Sequence, residues 1–82
     1  MRLTDRQDSM LFAAAKQGGN LRVHELSTRR DWHVVGLMYA ADDRFDVELL
    51  VAVGHLVRTH DLPRSTYRLT ATGYRAAWNV PN

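Results

Sequence analysis

Ten arginines and a single lysine, Lys16, supply the permanent positive charge of this 82-residue chain. A guanidinium offers a planar fork of donors that meets phosphate, guanine or carboxylate two bonds at a time, which a lysine ammonium cannot do. The arginines and histidines fall into two groups. Arg58, His60, Arg64 and Arg68 lie within eleven positions of one another near the C-terminal end, and Arg22, Arg29, Arg30 and His33 lie upstream. Both groups point to recognition of an anion, although an arginine-bearing solvated surface accounts for the same residues.

Other chemistries find less support. His24, His33, His55 and His60 show no His-x3-His pair, and with no cysteine in the chain there is no thiolate to complete a metal site. No paired carboxylates face an evident pocket, and the serines lack His and Asp neighbours at motif spacing. Gly18-Gly19 is followed by no Lys-Ser/Thr step and reads as a helix stop, not a phosphate loop. Trp32, Tyr39 and Trp78 fit a core better than a stacking platform. The expectation is a non-enzymatic protein with no cofactor and no metal.

Composition bounds the rest. With 45% hydrophobic and 24% charged residues the chain is an ordinary folded globule. Eighty-two residues make one domain, spanning 1–82 with its core over about 3–78, that buries roughly 60–65% of its unfolded surface. The net charge of +2 is slight, so the distribution of charge matters more than its total. No apolar run approaches the ~20 residues of a membrane span, and no apolar leader is visible, so a cytoplasmic protein that avoids membranes is expected.

The elements that must position these residues follow from periodicity and caps. Thr4 and Gln7 fit a capping box, Met10, Leu11, Ala14 and Ala15 recur at helical spacing, and Gly18-Gly19 ends that helix. Asn20 to Arg22 reads as a short extended link. A second helix is expected from Val23 to about Arg29, and a further one from Asp31, as N-cap, to Ala41. Asp46 would cap another over about 46–55, although the β-branched run there also suits a buried strand. The pattern then changes to period two, giving a hairpin with strands near 56–61 and 66–70 around Pro63-Arg64-Ser65. Thr72 and Gly73 open a last short helix. Arg58, His60, Arg64 and Arg68 would project from the outer face or tip of the hairpin.

Two stretches carry a family resemblance. Gly18-Gly19-Asn20-Leu21-Arg22-Val23-His24-Glu25-Leu26-Ser27 resembles the entry to the second helix of bacterial winged-helix repressors. Gly54-His55-Leu56-Val57, with Tyr67-Arg68-Leu69-Thr70-Ala71-Thr72-Gly73, resembles their wing. The fold so implied is α+β and mainly helical: a winged helix-turn-helix with three or four helices and a C-terminal β-hairpin wing. The resemblance also implies double-stranded DNA as partner, with a third helix in the major groove and the wing on phosphates. One departure is that the interval from Ser27 to Leu56 is several residues longer than a plain helix-turn-helix needs.

The candidate recognition helix argues against its own role. Glu48, Ala52, His55 and Thr59 on its exposed side offer no Arg, Asn or Gln to base edges, and Asp42, Asp43, Asp46 and Glu48 would repel phosphate. Two functions therefore stand side by side. The first is a small bacterial or phage transcriptional regulator that contacts DNA through Arg22, Arg29, Arg30, His33, Arg58, His60, Arg64 and Arg68. The second is a protein-docking module, such as a phage accessory or inhibitor protein or an assembly subunit. It would pair with a second copy or another protein through Trp32–Tyr39 or the Glu48/Ala52/His55 face.

Overall fold

The computed structural model describes residues 2–26, 28, 30–39 and 42–78. Helix α1 (Asp5–Lys16) begins as its sequence requires: the Thr4 hydroxyl accepts from the Gln7 amide at 3.2 Å, and the Gln7 side chain accepts from the Thr4 amide at 2.9 Å. Strands β1 (Asn20–Glu25) and β2 (Trp32–Val34) follow, then α2 (Arg44–Ala52), β3 (Leu56–Arg58), β4 (Arg64–Leu69) and α3 (Ala71–Trp78). The strands form one sheet in the order β2-β1-β4-β3, with every neighbouring pair antiparallel.

This corrects the mainly helical class. Among the described residues there are three helices and a four-stranded antiparallel sheet, and the hairpin is half of that sheet, not an appended wing. The helix expected from Val23 to Arg29 is replaced by β1 and the loop after it, and Ser27 and Arg29 lie outside the described residues. The helix expected over 31–41 is replaced by β2 and a turn through Gly36 at φ +96°, with Ala40 and Ala41 outside the described residues. The physical reason is period. Leu21 and Val23 on β1, and Trp32 and Val34 on β2, are buried, whereas Arg22, His24 and His33 point the other way. A helical stripe would have buried Met38 and Tyr39, which are 85% and 60% exposed. The later elements match more closely: α2 starts two residues before Asp46, and the hairpin strands are 56–58 and 64–69.

One face of the sheet makes the core. Leu21, Val23, Trp32, Val34, Leu56, Tyr67 and Leu69 meet Met10, Leu11 and Ala14 of α1, Val47 and Leu50 of α2, and Ala77 of α3. Burial raises the Tyr67 hydroxyl above its ordinary value, with Glu48 adding to the effect and Arg58 and Ser65 opposing it.

The acidic run before α2 is a joint. Asp43 is 1% exposed; its carboxylate takes a bidentate bond from Arg6 of α1, at 3.0–3.1 Å, and accepts from the Val34 amide at 2.9 Å. Asp42 accepts from the Trp32 amide at 2.8 Å, and Asp46 from the Gln7 side chain at 2.9 Å. Two outward amides of edge strand β2 are thereby closed to a further strand.

The Leu69-Thr70-Ala71-Thr72-Gly73 step has an equally local cause. The Thr70 and Thr72 hydroxyls donate to the Gly54 carbonyl, and the Thr70 amide donates to the His55 carbonyl at 3.1 Å. A Cβ at residue 73 would collide with that His55 carbonyl oxygen, so α3 reaches this turn only through glycine. Among the described residues, no helix is long and apolar enough to cross a membrane.

Candidate functional site

Among the described residues, no helix packs on the other face of the sheet. The register places its outward side chains in three rows. Val57, Arg68 and Asn20 form the first; the second runs from Thr59, opposite Thr66, through Arg22 to Val35; the third joins Arg64, His24 and His33. Arg22, His24, Arg64 and Arg68 are exposed, and Asn20, His33 and Thr66 are half-buried. These rows hold three guanidinium groups and two imidazoles with no carboxylate among them.

Spacing gives this cluster its character. Arg22 lies opposite Thr66, so Arg64 and Arg68 are its two diagonal neighbours, with Cα atoms about 7–8 Å away. Like charges at such positions repel each other weakly across water and salt. Among the described residues the ion pairs are Arg6–Asp43 at 3.0 Å and Arg58–Asp61 at 3.8 Å, so Arg22, Arg64 and Arg68 have no internal counter-ion there. The acids lie elsewhere. Glu25, Asp31, Asp42 and Glu48 line a hollow with Arg30 and Arg44 at the helix side of the sheet's end. The modest net charge therefore conceals a strongly segregated one.

Of the eight expected contact residues, the structure brings Arg22, His33, Arg64 and Arg68 onto this face. His60 lies beside it, lining a shallow hollow with Gln17, Asn20, Arg22, Arg68 and the two threonines. Arg58 turns away: its guanidinium donates to the His60 carbonyl at 3.2 Å and to the Ser65 hydroxyl at 3.4 Å, and Ser65 is on the buried side. Arg30, at φ 59°, faces the acidic hollow, and its carbonyl accepts from Arg44 at 2.7 Å. Arg29 lies outside the described residues.

Sequence reasoning missed His24, Asn20 and Thr66 as members of the site. The clue is the alternation Leu21-Arg22-Val23-His24, which has the period of a strand, although the spacing of Val23 and Leu26 also suits a helix.

Of the expected protein-docking faces, the Glu48/Ala52/His55 face lies apart from this one, whereas the Trp32–Tyr39 segment contributes His33 and Val35 to its edge. Trp32 and Val34 are core residues, leaving Met38 and Tyr39 exposed at the end of that segment. His33 and Tyr39 rings lie 5.9 Å apart at a tilt of 35°. Glu48 and Ala52 are exposed on α2, beside Phe45 at 72%, while His55 is half-buried at its end. Among the described residues, no three His, Asp or Glu side chains gather as they would around a metal ion. A scan against protein-family models, a search of curated proteins and a search of solved structures each gave no match to this chain.

Proposed function

We propose that this chain is a non-enzymatic DNA-binding protein that lays the open face of its sheet across a duplex and grips the phosphates. The observation that carries this reading is the set Arg22, Arg64 and Arg68, held as diagonal neighbours on a carboxylate-free face. Support therefore comes from the sheet and not from a recognition helix, since α2 packs on the opposite face through Val47 and Leu50.

Two features favour a duplex contacted through its backbone. The outward rows contain no Phe, Tyr or Trp, and the Tyr39 ring beside them leans on His33 at one edge, so the centre of the face offers guanidinium groups in place of a stacking platform for unpaired bases. Four strands at ~4.8 Å spacing span about 14 Å, more than the ~12 Å width of the major groove, so the sheet bridges a groove instead of entering it. Contacts of that kind position a protein without reading sequence.

Fluorescence anisotropy with a labelled random-sequence duplex tests the reading. Binding with Kd about 10⁻⁴–10⁻⁶ M or tighter is expected at ~50 mM salt, weakening steeply as salt is raised. Absence of binding at that salt and about 10⁻⁴ M protein would overturn it.

A second reading, docking on another protein, draws support from the exposed apolar side chains Phe45, Val51 and Val53 around α2. It uses the helical side of the molecule, so the two readings predict different footprints.

A further inference from the structure

The cationic face is not uniform. Its third row, Arg64, His24 and His33, is an open surface, but at the other end the chain forms a hollow. Arg22 and Arg68 form part of its wall, and His60 adds an imidazole. Thr59 and Thr66 contribute hydroxyls, and Asn20 and Gln17 contribute amides. All seven lining residues are polar, and none is a carboxylate. Among the described residues, neither the Gln17 nor the Asn20 side chain is engaged in a hydrogen bond that holds the fold together, in contrast to Gln7 and Thr70.

We infer that this hollow is a discrete binding site for one phosphate group, with Arg22 and Arg68 as its principal ligands and His60 completing the positive wall. The donor set matches the ligand. Two guanidinium forks satisfy the oxygens of a phosphate in pairs, and the Thr66 hydroxyl and the Gln17 and Asn20 amide groups are neutral donors for those that remain. The Thr59 hydroxyl donates to the Thr66 carbonyl at 2.7 Å, which fixes its oxygen at the rim. The Thr59 amide bonds the same carbonyl at 2.7 Å, continuing the β3–β4 pairing to this point, so the wall is held by sheet hydrogen bonds. That phosphate would come from the duplex proposed above, and the assignment rests on that reading for its source. A phosphate ester of a small molecule presents the same dianion or monoanion to the same groups.

Amide-detected NMR titration of the full chain with inorganic phosphate, and separately with a short duplex, tests this at constant ionic strength. Phosphate is expected to give saturable shifts at Asn20, Arg22, Thr59, Thr66 and Arg68, with smaller ones at Arg64 and His24. The variants Arg22→Ala and Arg68→Ala each weaken phosphate binding by roughly tenfold or more, the fold-change expected for loss of a charge-assisted bond, whereas Arg75→Ala, on α3 outside the sheet, leaves it within about twofold. Shifts that are unsaturable and spread over the whole face, or that survive loss of both arginines, would overturn the site. Phosphate binding without duplex binding would uphold the site, assign it to a small phosphate ester, and sink the DNA reading. Duplex binding with no phosphate binding would do the reverse.

Discussion

Replacing Arg22, Arg64 and Arg68 together with alanine is expected to lower duplex affinity about a thousandfold at ~50 mM salt and to flatten its salt dependence by about 2.7 units of logarithmic slope. The figures follow from counter-ion release. Each phosphate neutralised by a cation contributes roughly 0.9 to that slope, and at low salt each is worth about tenfold in affinity. The three guanidiniums have no internal counter-ion among the described residues, so their removal breaks no ion pair seen in the structure. Stability should therefore stay within about 0.5 kcal/mol of the parent, or rise slightly as repulsion is relieved. Arg2 and Arg75, also exposed but outside the sheet, provide the control: alanine at both should leave the slope unchanged. An unchanged slope in the triple variant would mean that the phosphates are met elsewhere on the molecule.

The second large effect is on folding. Asp43→Ala removes a carboxylate that is 1% exposed and that ties three elements together: Arg6 of α1, the Val34 amide of β2, and the start of α2. The variant leaves the Arg6 guanidinium without its partner and the Val34 amide without an acceptor. Breaking a buried pair from one side costs about 3–5 kcal/mol, a large share of the ~5–15 kcal/mol that holds a domain together. Urea denaturation should show a markedly lower midpoint with little change in slope. Arg6→Ala should cost somewhat less, because its side chain is 26% exposed. The double variant should cost less than the sum of the two, since the partners share one interaction. A loss below about 1 kcal/mol for Asp43→Ala would show that the joint does not hold the sheet to the helices.

Asp43 also shows how much of these acids' role lies beyond local sequence reasoning, which places them at the start of a helix but not against their distant partners. Asp42, Asp43 and Asp46 suggest a negative patch that repels phosphate, and Asp46 suggests an N-cap. Asp42 does accept locally from the Arg44 amide at 3.0 Å, but the oxygens also meet the Trp32 amide, the Val34 amide, Arg6 and Gln7. Each of these further partners is more than eight residues away along the chain, and no local pattern announces them. Local features read well: the Thr4–Gln7 box, the Gly18-Gly19 stop and the hairpin all follow from neighbours within a few residues. Strands β1 and β2 do not, because β2 is only three residues long and the other partner of β1, strand β4, enters about forty residues after β1 begins. Val23 and Leu26, spaced by three, mimic a helical stripe until the sheet shows that Val23 alternates with Arg22 and His24. The candidate face was half legible. Arg64 and Arg68 stand out as alternate residues of one strand, but their approach to Arg22 and His24 is a product of long-range pairing.

The central claim is that the open face of the sheet is the surface that meets DNA. Chemical-shift mapping of the amide groups during titration with a short random duplex tests it most directly. Perturbations should centre on Asn20–His24 of β1 and Arg64–Arg68 of β4, fade toward Val57 and His33 at the edges, and leave Phe45–Ala52 of α2 at rest. A footprint on α2, or on the outer sides of α1 and α3, with β1 and β4 silent, would contradict it.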